Sequence, residues 1–110
     1  MACKATWNGV TIAESDKCIT TEGNLYFPPE SVKREYLQPS ERQYTCQWKG
    51  QAGYYDVVVK GKVNKDAAWY YYEPSEAAID IKDYVSFDKS LGVKVEGDAV
   101  SRIDPPWAKE

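Results

Sequence analysis

Hydrophobic and polar positions alternate in short runs along most of this 110-residue chain, and Gly, Asn and Pro cut the runs apart. In Ala5–Ala13, ATWNGVTIA, two apolar runs flank Asn8-Gly9. A type I′ turn needs φ > 0 at both central residues, and Asn-Gly supplies it, so a hairpin is expected there. After the polar turn signal Glu14-Ser15-Asp16-Lys17, CITTE predicts a third short strand ended by Gly23-Asn24.

The period then changes. In LYFPPESVKREYLQPS, Pro28-Pro29 can open a helix, Glu30 suits its positive end, and Val32 and Tyr36 stand at i, i+4. Pro39 closes it. YTCQWK and YYDVVVKGKV return to a strand pattern, joined by a turn over Gly50 to Gly53. Strand parity puts Tyr55, Val57 and Val59 on one face and Tyr54, Asp56 and Lys60 on the other, so one side is core.

Gly61 marks a tight bend, Asn64-Lys65-Asp66 a turn, and AAWYYY an aromatic strand. Ser75 is positioned to cap a second short helix in EAAIDIKDYV, with Ala77, Ile81 and Val85 at four-residue steps. YVSFD and VKVEG read as edge strands. The order predicts a β-rich α+β domain over residues 1–97, mainly antiparallel with two short helices, and a C-terminal tail over 98–110.

Composition narrows the chemistry. A net charge of −3 and a pI near 5.0 oppose nucleic acid as the main partner, since phosphate binding needs a basic face. MACKATWNG lacks the apolar core of a signal peptide, and no window approaches a membrane span, so a cytoplasmic address without membrane contact is expected. Cys3, Cys18 and Cys46 stand singly, which predicts reduced thiols rather than a disulfide framework or a zinc knuckle. Histidine is absent, which excludes Ser-His-Asp and Cys-His catalysis. No metal or cofactor is expected.

The stretch TCQWKGQAGYY concentrates the candidate residues. Cys46 is a candidate nucleophile, but without an electropositive partner a small buried core residue is the simpler reading. Lys49 can serve as a Schiff-base amine or an anion contact, against a solvated strand lysine. In an unbroken strand Cys46 and Trp48 point one way and Gln47 and Lys49 the other, so Trp48 and Lys49 cannot both face a pocket without a twist or bulge. Among the carboxylates, Glu14 and Glu35 read as surface charge. Glu22, beside a turn that leads into Tyr26-Phe27, is the better site candidate. Nine tyrosines and four tryptophans, including the run WYYY, place aromatics on both strand faces, so some must line a groove or an interface.

WNGVTIAES, EGNLYFP, CQWKG, AWYYYEP and YVSF, in that order, resemble a known family, the domain-of-unknown-function family 427, from about Ala5 to Val95. The resemblance implies a β-tent-like fold: two antiparallel sheets leaning together, with short helices and a pocket between them. It implies no zinc knuckle, because the paired CxxC motifs of other β-tent groups are missing here. The family has carried a nucleotidyltransferase label. The chain shows neither a phosphate loop nor a Gly-Ser followed by paired aspartates.

The expected function is binding of a small planar, cationic or carbonyl-bearing molecule in an aromatic pocket. Tyr26, Trp48, Tyr54, Trp69 and Tyr71 would form it, with Lys49 and Glu22 supplying polarity. One alternative is an enzyme on a small metabolite, with catalytic candidates Lys49, Glu22 and Cys46 and with Tyr71 as a further proton carrier. Another is an interaction module, a homodimer for example, that buries the tyrosines and Trp107.

Overall fold

The computed structural model describes residues 2–109, Lys109 through its backbone only. The described residues contain ten strands and five 3-10 segments, with no α-helix among them. The strands are β1 (Cys3–Trp7), β2 (Val10–Ser15), β3 (Ile19–Thr21), β4 (Asn24–Tyr26), β5 (Leu37–Cys46), β6 (Gly50–Val59), β7 (Lys62–Pro74), β8 (Val85–Phe87), β9 (Lys94–Glu96) and β10 (Ser101–Arg102). They form three sheets, in the orders β2-β1-β9, β10-β3-β4 and β5-β6-β7-β8. The fold is thus β-rich, with one more sheet than expected. All pairings within the sheets are antiparallel except β10 with β3, so part of the C-terminal segment adds a strand to the β3–β4 hairpin.

Turn chemistry sets the three tightest hairpins. Asn8-Gly9 (φ 52° and 78°) joins β1 to β2 as expected, and its Asn8 Nδ2 donates to the Val59 carbonyl at 3.2 Å. Glu22-Gly23 (53° and 81°) and Lys60-Gly61 (54° and 79°) adopt the same left-handed pair. The second turn therefore starts one residue earlier than Gly23-Asn24, with Glu22 at its first central position.

Both expected helices are 3-10 segments instead. Around Pro29–Ser31 and Arg34–Tyr36 the chain manages single turns, because Val32 between them is held extended: it bridges Ala13, and Lys33 N donates to the Ile12 carbonyl at 2.9 Å. Pro39 then lies inside β5 rather than ending a helix; an edge strand tolerates a residue without an N–H. The second segment, Glu76–Ile81, breaks at Ala78 (φ −121°, ψ 20°), and Ser75 does not cap it. The Ser75 hydroxyl donates to the Trp48 carbonyl and the Ser75 N–H to the Lys49 carbonyl. Asn64-Lys65-Asp66 is not a turn either. It is a bulge inside β7, with Asp66 at φ 56°, its N–H bonded to Asp56 Oδ1 at 2.8 Å.

The four-stranded sheet is covered on both faces. On one, Val57, Val59, Ala68 and Phe87 join Ile12, Ala13 and Phe27 in the main core, with Tyr55 and Tyr70 stacked at 4.6 Å beside it. On the other, Ala52 and Tyr71 meet Ile19, Tyr26, Ala78 and Ile81 in a smaller cluster. A main-chain bridge between Phe27 and Val85 ties the β3–β4 hairpin to the edge of the large sheet. No helix among the described residues is long and apolar enough to cross a membrane.

Candidate functional site

The TCQWKGQAGYY stretch folds three residues out of register with expectation. β5 ends at Cys46, the turn is Gln47-Trp48-Lys49, and Gly50 to Gly53 are already strand. Two close approaches, rather than turns, require these glycines. Gly50 (φ 111°) lies so near the Glu73 and Pro74 backbone that a Cβ would collide, and a Cβ on Gly53 would come within 2.9 Å of the Tyr70 hydroxyl. Because Trp48 and Lys49 sit in the turn, strand parity does not separate them. Both reach Glu22: Trp48 Nε1 donates to Oε2 at 3.3 Å and Lys49 Nζ bonds Oε1.

Directly opposed pairs in the register carry side chains on the same face. Tyr54, Trp69 and Ser86 make one such row across β6, β7 and β8; Tyr44, Ala52 and Tyr71 make the next across β5, β6 and β7. The β3–β4 hairpin packs over this face. Between them lies a cleft of about 290 Å³ that includes Tyr26, Lys49, Tyr54, Trp69 and Tyr71 in its lining. Five of the seven expected ligand contacts thus share one hollow. Glu22 and Trp48 line an adjacent hollow of about 450 Å³, together with Cys46 and Trp107. Lys49 and Tyr44 border both.

Tyr26 is fully buried, accepts from Trp69 Nε1 at 3.0 Å, and meets the Trp69 ring edge-on at 6.4 Å. Lys49 is only 5% exposed, an unusual state for a lysine. Its ammonium stands 5.2 Å from the Tyr71 ring centre and 5.5 Å from that of Trp48. Burial pulls the Lys49 amine down, but Tyr26 and the Glu22 carboxylate outweigh it and hold the amine above its ordinary value. The Lys49 hydrogen bond in turn holds the Glu22 carboxyl below its ordinary value, against a smaller opposing effect of burial. Burial raises the Tyr26 and Tyr71 phenols, so both are neutral near pH 7.

Cys46 is half-buried at the second hollow rather than a fully buried core residue. Cys3 and Cys18 are buried, and all three thiols are free. Glu14 and Glu35 are exposed, as read from the sequence. Four cleft residues had no sequence signal: Asn24, Arg42, Tyr44 and Asp88. Arg42 lies 4.5 Å over the Tyr54 ring, adding a second cation to the rim. Asp88 Oδ1 is taken up by Ser90, accepting from its N–H at 2.9 Å and its hydroxyl at 2.6 Å. No group of three or more metal-ligating side chains occurs among the described residues.

The family model described as Domain of unknown function (DUF427) matches residues 2–100, and the chain belongs to that family. No curated protein matches it.

Proposed function

We propose that this DUF427 domain binds a small planar molecule bearing a carbonyl or anionic oxygen, with its ring between Tyr26, Tyr54, Trp69 and Tyr71 and its oxygen toward Lys49. The single observation that carries this reading is a lysine ammonium, 5% exposed, held beside an aromatic-walled cleft with Arg42 at the same hollow. Aromatic faces accept a ring without regard to sequence of substituents, while one buried charge orients it.

Two cations, Lys49 and Arg42, border the cleft against one carboxylate, Asp88, a balance that disfavours a cationic ligand. Chemistry at the amine has less support. Schiff-base formation needs a neutral lysine, and the Glu22 carboxylate bonded to Lys49 favours the ammonium. Lys49 is therefore read as an oxygen contact.

Three planar probes of different charge test this by fluorescence and by the indole N–H resonances of the tryptophans: benzamide, benzoate and benzylammonium. Benzamide or benzoate should bind and perturb Trp69, and benzylammonium should not. Trp69→Ala should lose that binding while far-ultraviolet circular dichroism still reports the β fold. Equal affinity for all three probes, or unchanged affinity in Trp69→Ala, would sink the reading.

A further inference from the structure

The contact between Glu22 and the Gln47-Trp48-Lys49 turn joins two unlike partners. The turn is a rigid donor surface. Its carbonyls at Trp48 and Lys49 are both bonded to Ser75, its exit at Gly50 abuts the Glu73 and Pro74 backbone, and Trp48 and Lys49 are 8% and 5% exposed. From this surface two N–H donors converge on one carboxylate, the Trp48 indole on Oε2 and the Lys49 ammonium on Oε1.

The acceptor is built differently. Glu22 stands at the left-handed first position of a two-residue turn, between strands of only three residues, and its side chain is 42% exposed. Rotation about its own side-chain bonds can withdraw the carboxylate into solvent without disturbing a sheet hydrogen bond. Withdrawing either donor would require unpacking the turn.

We propose that Trp48 Nε1 and Lys49 Nζ form a carboxylate seat for the ligand, and that Glu22 fills this seat as the chain's own stand-in until a ligand carboxylate displaces it. This rests on the cleft reading above and narrows its ligand class to planar carboxylates. Position supports it: Lys49 borders both the aromatic cleft and the hollow that holds Glu22 and Trp48, so a ring in the first can present a carboxylate at their junction. An indole N–H and an ammonium side by side match the two oxygens of a carboxylate, and charge-assisted bonds of this kind are the strong ones. A neutral amide has only one acceptor oxygen to offer.

Displacement has a quantitative signature. An internal competitor lowers the apparent affinity for the external ligand by the fraction of time the seat is open, and weakening the competitor restores it. Glu22→Gln keeps the stem length and removes the charge that Lys49 attracts. The probe is benzoate, followed in the full chain at the Trp48 indole N–H, whose resonance is assigned by its loss in Trp48→Phe.

Benzoate should bind Glu22→Gln about tenfold more tightly than the wild type, and Lys49→Met should abolish the gain. Benzoate affinity at Trp48 that is unchanged or weaker in Glu22→Gln overturns the seat. So does a benzoate response confined to other indoles. Benzamide, neutral and read at Trp69, separates the two levels. If it binds while the Glu22→Gln gain is missing, the cleft stands and the seat falls; if it fails while the gain appears at Trp48, the seat stands and the aromatic cleft falls.

Discussion

The two faces of the four-stranded sheet use the same strands for different ends. On the core face, Val57, Val59, Ala68 and Phe87 meet apolar partners, and the aromatic pair Tyr55–Tyr70 stacks at its margin. On the opposite face the partly exposed Tyr54 and Trp69 and the buried Tyr71 line a hollow, Tyr26 and Trp69 spend their polar atoms on each other, and the charges of Lys49 and Glu22 meet at one end. Close packing leaves the first face nothing to bind. The second keeps a smaller packed cluster with a hollow beside it, and the difference predicts that stability and binding separate between them.

The largest effect should come from the core. Phe27 and Phe87, 0% and 1% exposed, meet edge-on at 5.7 Å, and Phe87→Ala should cost about 3–5 kcal/mol in urea unfolding. Its benzamide affinity, measured where the variant is still folded, should be unchanged. Trp69→Ala on the other face should cost roughly 2 kcal/mol or less, because the ring is already partly exposed, and should lose the ligand. Should Phe87→Ala abolish binding as well, the two faces are not independent.

A smaller effect tests a boundary between strand geometry and aromatic packing. Gly53→Ala drives a methyl to within 2.9 Å of the Tyr70 hydroxyl and 3.0 Å of its ring carbon, an overpacking cost of about 1–3 kcal/mol. Tyr70→Leu removes the obstacle. A double-mutant cycle should show Gly53→Ala becoming nearly neutral in the Tyr70→Leu background; a penalty that persists would place the strain in the backbone instead.

The Glu22–Lys49 pair should contribute about 1 kcal/mol, since Glu22 is half-exposed and solvent screens it. Its pH dependence follows from the directions of the shifts. The folded-state pKa of Glu22 is depressed, so its contribution is present above the ordinary value of 4.5 and is lost as pH falls through the lower folded value. That of Lys49 is raised, so its contribution is present below 10.5 and is lost as pH rises through the higher folded value. Wild type and Glu22→Gln should therefore differ most between these limits and converge in acid, as measured by urea midpoints across pH. A difference that stays constant below pH 4 would assign the effect to something other than the carboxylate charge.

Local chemistry made much of the strand order legible and hid the site's assembly. Asn8-Gly9 announces its hairpin because both residues tolerate φ > 0. Glu22 gives no such sign, since glutamate rarely adopts that conformation, and the turn was expected one residue late. Pro28-Pro29 with Val32 and Tyr36 carries a valid helix signature, but the bridge from Val32 to Ala13, nineteen positions away in sequence, overrides it. Gly50 and Gly53 resemble turn residues only because close backbone contact and a turn both favour glycine. Tyr44 joins the cleft through strand pairing across the sheet, Arg42 from the irregularity of β5 between Pro39 and Gln43, and Asn24 and Asp88 through packing of separate segments, none of which a local pattern records.

The smallest and most discriminating expectation concerns backbone strain. Lys60 and Glu22 both hold the left-handed first position of an Xaa-Gly turn, at φ 54° and 53°, a conformation that costs an L-residue roughly 1–2 kcal/mol and that Asn tolerates better. Lys60 makes no side-chain hydrogen bond or ion pair among the described residues to offset it, whereas Glu22 has Trp48 and Lys49. Lys60→Asn should therefore raise stability by about 0.5 kcal/mol, by relieving strain and little else. Glu22→Asn gains the same relief but surrenders both contacts and leaves the buried ammonium without its carboxylate, so its net change should be a loss. Opposite signs from one substitution at two matched turns would show that strain at Glu22 is held in place by what its carboxylate touches; equal gains at both would mean that the Trp48 and Lys49 contacts contribute nothing to the folded state.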